Sequence, residues 1–333
     1  MHLARLHDDT WQAMPPVVSG PDLLANWADT PVVAEGGDGA LYAAWLMKIG
    51  RGYGVRVARS ADAGVAWREL GWLHADRSEA EHGFVSLSPQ ADGVRAIWLG
   101  GENAEKPGGA TTLRTAIVSA AIGDERVLDE RVCDCCSTGV SRATSGLLVA
   151  FRDRSADELR DIAVGRLAGA NFATTPAAAD GWKLLGCPVN GPEIAARGSQ
   201  AAVAWFTAAG NQARVQVAFS RDGGRTFGAP VRVDGGKPLG RVGIALDGEE
   251  AIVSWLEQTS AAAEIRLRRV APDGRAGEAM TVAEVPAARA SGVPRILADG
   301  SRLIVAWTDP GPGGKASQVR AGVLPLNAIP PPR

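Results

Sequence analysis

Leu41-Tyr42-Ala43-Ala44-Trp45 is a short apolar run that ends on an aromatic, and runs of the same kind return through the whole chain. The closing aromatic recurs as Trp98, Phe151, Trp205, Trp255 and Trp307, at intervals of 53, 53, 54, 50 and 52 residues. Five to seven residues before each aromatic stands a glycine: Gly39, Gly93, Gly146, Gly198, Gly248 and Gly300. Four of these follow an aspartate (Asp38, Asp92, Asp247, Asp299), and Asp-Gly supplies the left-handed angles of a tight hairpin turn. Each repeat therefore reads as a hairpin, a loop, and two further strands such as Val55-Arg56-Val57-Ala58 or Val215-Gln216-Val217-Ala218-Phe219. Helical periodicity is weak throughout.

Six units of about four strands, with no helix to cover their faces, predict an all-β, six-bladed β-propeller of four-stranded antiparallel blades. A set of β-sandwiches does not give one regular repeat without linkers. The expected blades span 28–74, 82–132, 133–184, 187–234, 239–285 and 291–324, with 325–333 as a tail and 1–333 as one domain. The last repeat stops after three strands. The stretch 10–18 is expected to supply the fourth and close the ring, which would remove an exposed sheet edge.

The composition narrows the partners. The net charge of −2 gives no electrostatic reason to expect nucleic acid, and no apolar run is long enough for a membrane span. Hydrophobic residues at 46% allow a full core, so global disorder is excluded. The start, Met1-His2-Leu3-Ala4-Arg5, has neither the apolar segment nor the cleavage site of a signal peptide. The expectation is an exported monomer numbered from a trimmed form, with a cytoplasmic chain as the alternative. His2, His7 and His74 read as surface residues.

Two segments carry a box. Ser60-Ala61-Asp62-Ala63-Gly64-Val65-Ala66-Trp67 and Ser220-Arg221-Asp222-Gly223-Gly224-Arg225-Thr226-Phe227 both fit S-x-D-x-G-x-x-[W/F], each 15 residues past its tryptophan. Worn copies are read at Gly165–Phe172 and around Pro272-Asp273-Gly274. The chain thus resembles the sialidase-like propellers with Asp-box repeats. The resemblance implies that the boxes are structural turns on the face opposite the active site. It also implies, for a working sialidase, an arginine triad, a Tyr–Glu nucleophile pair and an Asp acid/base. This chain departs from that pattern: the motif of the first arginine is absent, and neither Tyr42 nor Tyr53 holds the family's tyrosine position. A true exo-sialidase is therefore not expected. Arg152, Arg241 and Arg295 remain as candidate arginines, with Asp153, Glu257 and Asp309 as candidate acids, and a glycan-binding or glycoside-hydrolase propeller is one alternative reading.

The other signal is cysteine. All four lie within 55 positions: Cys133, Cys135, Cys136 and Cys187. Counting back from the aromatics puts them at the first-strand starts of blades three and four, with His82 at the corresponding place of blade two. Read as a strand, Cys133 and Cys135 face one side and Cys136 the other. Thiolates with His82 would suit Cu(I) or Zn(II), with Asp134 beside them. That makes a metal site at the axial mouth the leading reading, and a small molecule, metal or glycan the expected ligand. Structural disulfides that brace a protein-binding scaffold, and a reactive thiol, are the competing readings. Asn190 and the long loop Gly100–Gly109 would share that face.

Overall fold

A computed structural model describes residues 1–7, 10–260, 262–311 and 317–333. The described chain is all-β, with six antiparallel meander sheets following one another in sequence, and its class is the six-bladed β-propeller. Five sheets have four strands in chain order and the sixth has three. The sheets cover Val32–Trp72, His82–Val132, Gly139–Pro176, Glu193–Arg232, Pro238–Val285 and Arg295–Pro325 in turn.

The chain divides into two compact units, Met1–Asp134 and Cys135–Arg333. The first holds the first two sheets and an N-terminal hairpin. In that hairpin Thr10–Pro16 pairs with His2–His7, and the sixth sheet ends at Gln318–Pro325. The fourth strand expected from 10–18 is thus not part of the sixth sheet. Its alternation finds an antiparallel mate nearer in sequence, at a smaller loop-closure cost.

The repeated aromatics explain the packing. In the first unit Tyr42, Ala44 and Leu46 of the first sheet pack with Val94, Ala96 and Trp98 of the second in one core. In the second unit Trp205 joins the third and fourth sheets and Trp255 the fourth and fifth. Each tryptophan sits mid-strand with its ring between consecutive sheets, so a single wide side chain fills the gap that their twist opens.

Both full boxes form the turn between third and fourth strands. Ser60 Oγ donates to Asp62 Oδ1 (2.7 Å) and accepts from the Gly64 N–H (2.8 Å), while Ala66 N–H donates to Asp62. Ser220 and Asp222 repeat this, and Asp222 also takes the Thr226 hydroxyl at 2.6 Å. Those donors hold the Asp222 carboxyl well below the usual range. Gly64 and Gly224 have φ of 91° and 78°, which explains the glycine that both boxes share. The segment Gly165–Phe172 lacks such a turn: Ile162–Ala168 and Asn171–Pro176 meet in a tight hairpin at Gly169.

Candidate functional site: a carboxylate cleft and a cysteine turn

In the first unit the loop Gly100–Gly109 is knit by successive turns and forms one wall of a cleft of about 600 Å³. Five carboxylates line it (Glu79, Glu81, Glu102, Glu105, Asp134) together with two cations, Arg51 and Lys106, and Tyr53. Tyr53 is the second residue of the strand Gly52–Ser60, and its backbone bridges Glu81 in parallel. Its hydroxyl donates to Glu81 Oε2 at 3.2 Å. The Glu79 carboxylate is occupied by Arg51 at 2.9 Å. A hydrogen-bonded Tyr–Glu pair thus exists in this cleft, made by a residue whose sequence position spoke against it.

Behind the cleft wall lies a layered charge cluster. His82 is fully buried, and its Nε2 meets Asp76 Oδ2 at 2.9 Å. Although burial pulls the other way, hydrogen bonds from Ser78 and His82 hold Asp76 at about 2. Burial lowers His82, with Asp76 opposing it. The neutral ring therefore carries its proton on Nε2, toward the aspartate, and turns the lone pair of Nδ1 the other way. That lone pair faces Glu102 Oε2 at 3.8 Å. Both atoms are buried and find no hydrogen-bond partner among the described residues. Glu102 Oε1 accepts from Arg114, which also reaches Glu125 at 3.3 Å. Two acceptors thus confront one another at the back of the cleft, and one proton shared between them would satisfy both.

His74 corrects the expectation of a surface residue. It is 1% exposed and stacks on His82 with ring centroids 3.8 Å apart. Its Nδ1 lies 2.8 Å from the Asp76 carbonyl, and the Val55 N–H donates to its Nε2. Burial, then repulsion from His82 whenever that ring is also protonated, pushes its pKa down to about 4. A polar residue after a short outer strand gave no sign of this, because its partners come from other strands.

The cysteines are not in a strand. Val132 ends the second sheet and Gly139 opens the third, and the residues between them make a turn around Asp134-Cys135. Because the backbone turns here, the strand alternation that would have split the thiols does not apply. The Sγ atoms of Cys133, Cys135 and Cys136 all lie within 4.8 Å of one another. Cys133 and Cys136 are buried and Cys135 partly so. Neither His82 nor Cys187 contributes to this convergence. Cys187 is exposed in the loop before Glu193, so the first-strand start expected at Cys187-Pro188 falls six residues later. Among the described residues no disulfide bond joins any of the four. Asp134, between the thiols in sequence, lines the cleft.

The candidate arginines of the second unit are held by other protein groups. Arg152 is 1% exposed and donates to the carbonyls of Asn190, Arg160 and Phe206 at 2.7 to 3.2 Å. Arg241 donates to the carbonyls of Ala288 and Gly292, and Arg295 pairs with Glu193 at 2.5 Å. Glu257 accepts from Trp255 Nε1, Gly235 N–H and Lys237 N–H, and Asp309 pairs with Arg320. Asp153 accepts the Arg154 N–H, and burial raises its carboxyl. Glu158 bridges Arg154 and Arg160, both at 2.7 Å.

One device recurs in both units and was not legible in the sequence. Phe84 and Arg241 have left-handed backbones, with φ of 54° and 57°. The N–H of each is held at 2.7 Å by a side chain from the preceding repeat, Asp29 for Phe84 and Asn190 for Arg241.

No protein-family model matches the chain, and no curated protein does. Solved structures do. The chain is similar to the α-L-arabinofuranosidase Arb93A of Fusarium graminearum in complex with an iminosugar inhibitor, at 13% identity, TM-score 0.56, and coverage of 95% of this chain and 97% of that one. It is similar to a Penicillium chrysogenum α-L-arabinanase complexed with arabinobiose, at 14% identity, TM-score 0.57, and coverage of 95% and 97%. The phage phi92 endosialidase gives 9% identity and TM-score 0.58, over 93% of this chain and 68% of that one. At these identities the likeness shows the fold alone. Among the described residues no helix is long and apolar enough to cross a membrane.

Proposed function

We propose that the protein is a glycan-processing propeller whose ligand, a neutral oligosaccharide, occupies the carboxylate cleft of the first unit. The observation that carries this reading is the cleft itself, about 600 Å³ with the Tyr53–Glu81 pair and Glu102 among its walls. Carboxylates and a tyrosine hydroxyl suit the hydroxyl groups of sugars, and paired carboxyl groups are what glycosidic cleavage uses. The excess of acid over base argues against a sialic or uronic acid, whose carboxylate would meet like charge. The α-L-arabinofuranosidase and the arabinanase, whose ligands are an iminosugar inhibitor and arabinobiose, support the class of ligand. A location outside the cytoplasm, where polymeric glycans are met, goes with this reading.

The test is the full chain against a panel of neutral oligosaccharides, with sialyllactose as the acidic control. Binding is read by saturation-transfer NMR and cleavage by reducing-sugar release. Binding and cleavage of a neutral member, with cleavage lost in Glu81→Gln and Glu102→Gln, are expected. Binding without cleavage would make the protein a lectin. A preference for the sialoside, or cleavage that survives both substitutions, would overturn the cleft as the site.

A further inference from the structure

We propose that Cys133, Cys135 and Cys136 form a three-coordinate thiolate site for Cu(I). Three sulfurs within 4.8 Å of one another have the spread of donors around a single ion. All the converging donors are thiols, which selects a soft monovalent or borderline ion over calcium, magnesium or manganese. Among the described residues no imidazole or carboxylate oxygen belongs to the group, so they provide three sulfur donors and not the four of a structural zinc site. Two of the three cysteines are buried, which suits a low-charge ion held by sulfur.

The turn is held from outside by the loop at Asn190-Gly191. A Cβ at Gly191 would lie 2.0 Å from the Ser137 carbonyl oxygen and 2.6 Å from its nitrogen, so the loop at Asn190-Gly191 packs backbone on backbone against the residue after Cys136. That loop is fixed in turn by Arg152, which donates to the Asn190 carbonyl through two nitrogens. The Asn190 side chain ties it onward to Arg241 and Leu239. A support of this kind orients ligands before an ion arrives. On binding, each thiol that ligates gives its proton to solvent as its sulfur–copper bond forms, and copper enters and stays as Cu(I).

The experiment uses the full chain, reduced under anaerobic conditions and loaded with Cu(I) from its acetonitrile complex against a chromophoric Cu(I) chelator. One Cu(I) per chain, with three sulfur neighbours by X-ray absorption, is expected. Substituting Cys133, Cys135 or Cys136 by serine should weaken binding by at least about 100-fold, more than losing a supporting group costs. Cys187→Ser should bind like the parent. Because buried positions can fail to fold when changed, the parent chain carries a second readout. Bound Cu(I) should protect the three clustered thiols from alkylation and leave Cys187 reactive. Copper lost wholly to the chelator, equal protection of Cys187, or preferential retention of Zn(II) would each overturn the assignment. None of these outcomes bears on glycan binding in the cleft.

Discussion

His82 and Arg152 are both fully buried polar side chains near strand ends, yet they are used in opposite ways. Arg152 spends its guanidinium on three backbone carbonyls, and its surroundings are closed. His82 satisfies one nitrogen with Asp76 and aims the other at a carboxylate oxygen that also finds no hydrogen-bond partner among the described residues. Burial alone does not separate structure from function here. What separates them is whether the hydrogen-bonding capacity is consumed. A buried group whose three nitrogens all bond the frame stiffens the fold, and one with an open acceptor beside a cleft is placed to act.

Four substitutions or titrations probe this contrast, and the largest expected effect is on Arg152. Arg152→Met leaves three carbonyls without a donor and should lower stability by about 3–5 kcal/mol, read as a fall in the urea midpoint. A loss below about 1 kcal/mol would mean that Arg152 is not the hub its geometry describes.

Glu102→Gln should do the reverse. The amide keeps an acceptor for Arg114 and presents a donor to His82 Nδ1, so stability should move by less than about 1 kcal/mol. Glycan cleavage should fall by about 100-fold or more, as for loss of an acid–base group. Equal damage to both properties would erase the contrast.

The third test is pH. The His74 pKa is depressed from 6.5 to about 4, so the unfolded chain binds more protons than the folded one between those values. The associated stability is present above pH 6.5 and is lost as pH falls toward 4. His82 acts in the same direction. A melting temperature that falls through this window in the parent, and falls less steeply in His74→Gln, is the expected result.

The smallest effect concerns the boxes. Asp222→Asn weakens a carboxylate that takes two N–H groups and two hydroxyls, and should cost about 1–2 kcal/mol. Asp62→Asn should cost less, since Ala66 offers no hydroxyl where Thr226 does. Glycan binding should be unchanged in both, because neither residue lines the cleft.

The fold was legible because its signals are periodic and local. The tryptophan spacing, the Asp-Gly turns and the two boxes each state a conformation within a few residues, and six successive antiparallel sheets follow from them, with the third and fourth opening six residues later than expected. The N-terminal strand was misplaced because an alternating strand names its period and not its partner. Of the site, the clustering of the cysteines was visible, but their convergence depends on a turn where alternation predicted a strand. His74, Glu81 and Glu102 were beyond reach for another reason. Their importance lies in contacts with residues on other strands, such as His82, Tyr53 and Arg114, and no spacing rule reports those. Arg152 was read as a candidate site arginine, and only its carbonyl partners reveal that it supports the frame.

The pairs Asp29 with Phe84 and Asn190 with Arg241 give the mutational landscape of this chain a particular shape. A left-handed backbone at a residue with a side chain costs about 1–2 kcal/mol, and a single short side chain from the preceding repeat holds each one in place. A saturation scan should therefore find positions 29 and 190 restricted to the few residues that can accept that N–H, while neighbouring loop positions tolerate most replacements. Neutral drift could then rewrite much of the loops while these two pins keep the ends of the strands His82–Gln90 and Pro238–Asp247 aimed as they are.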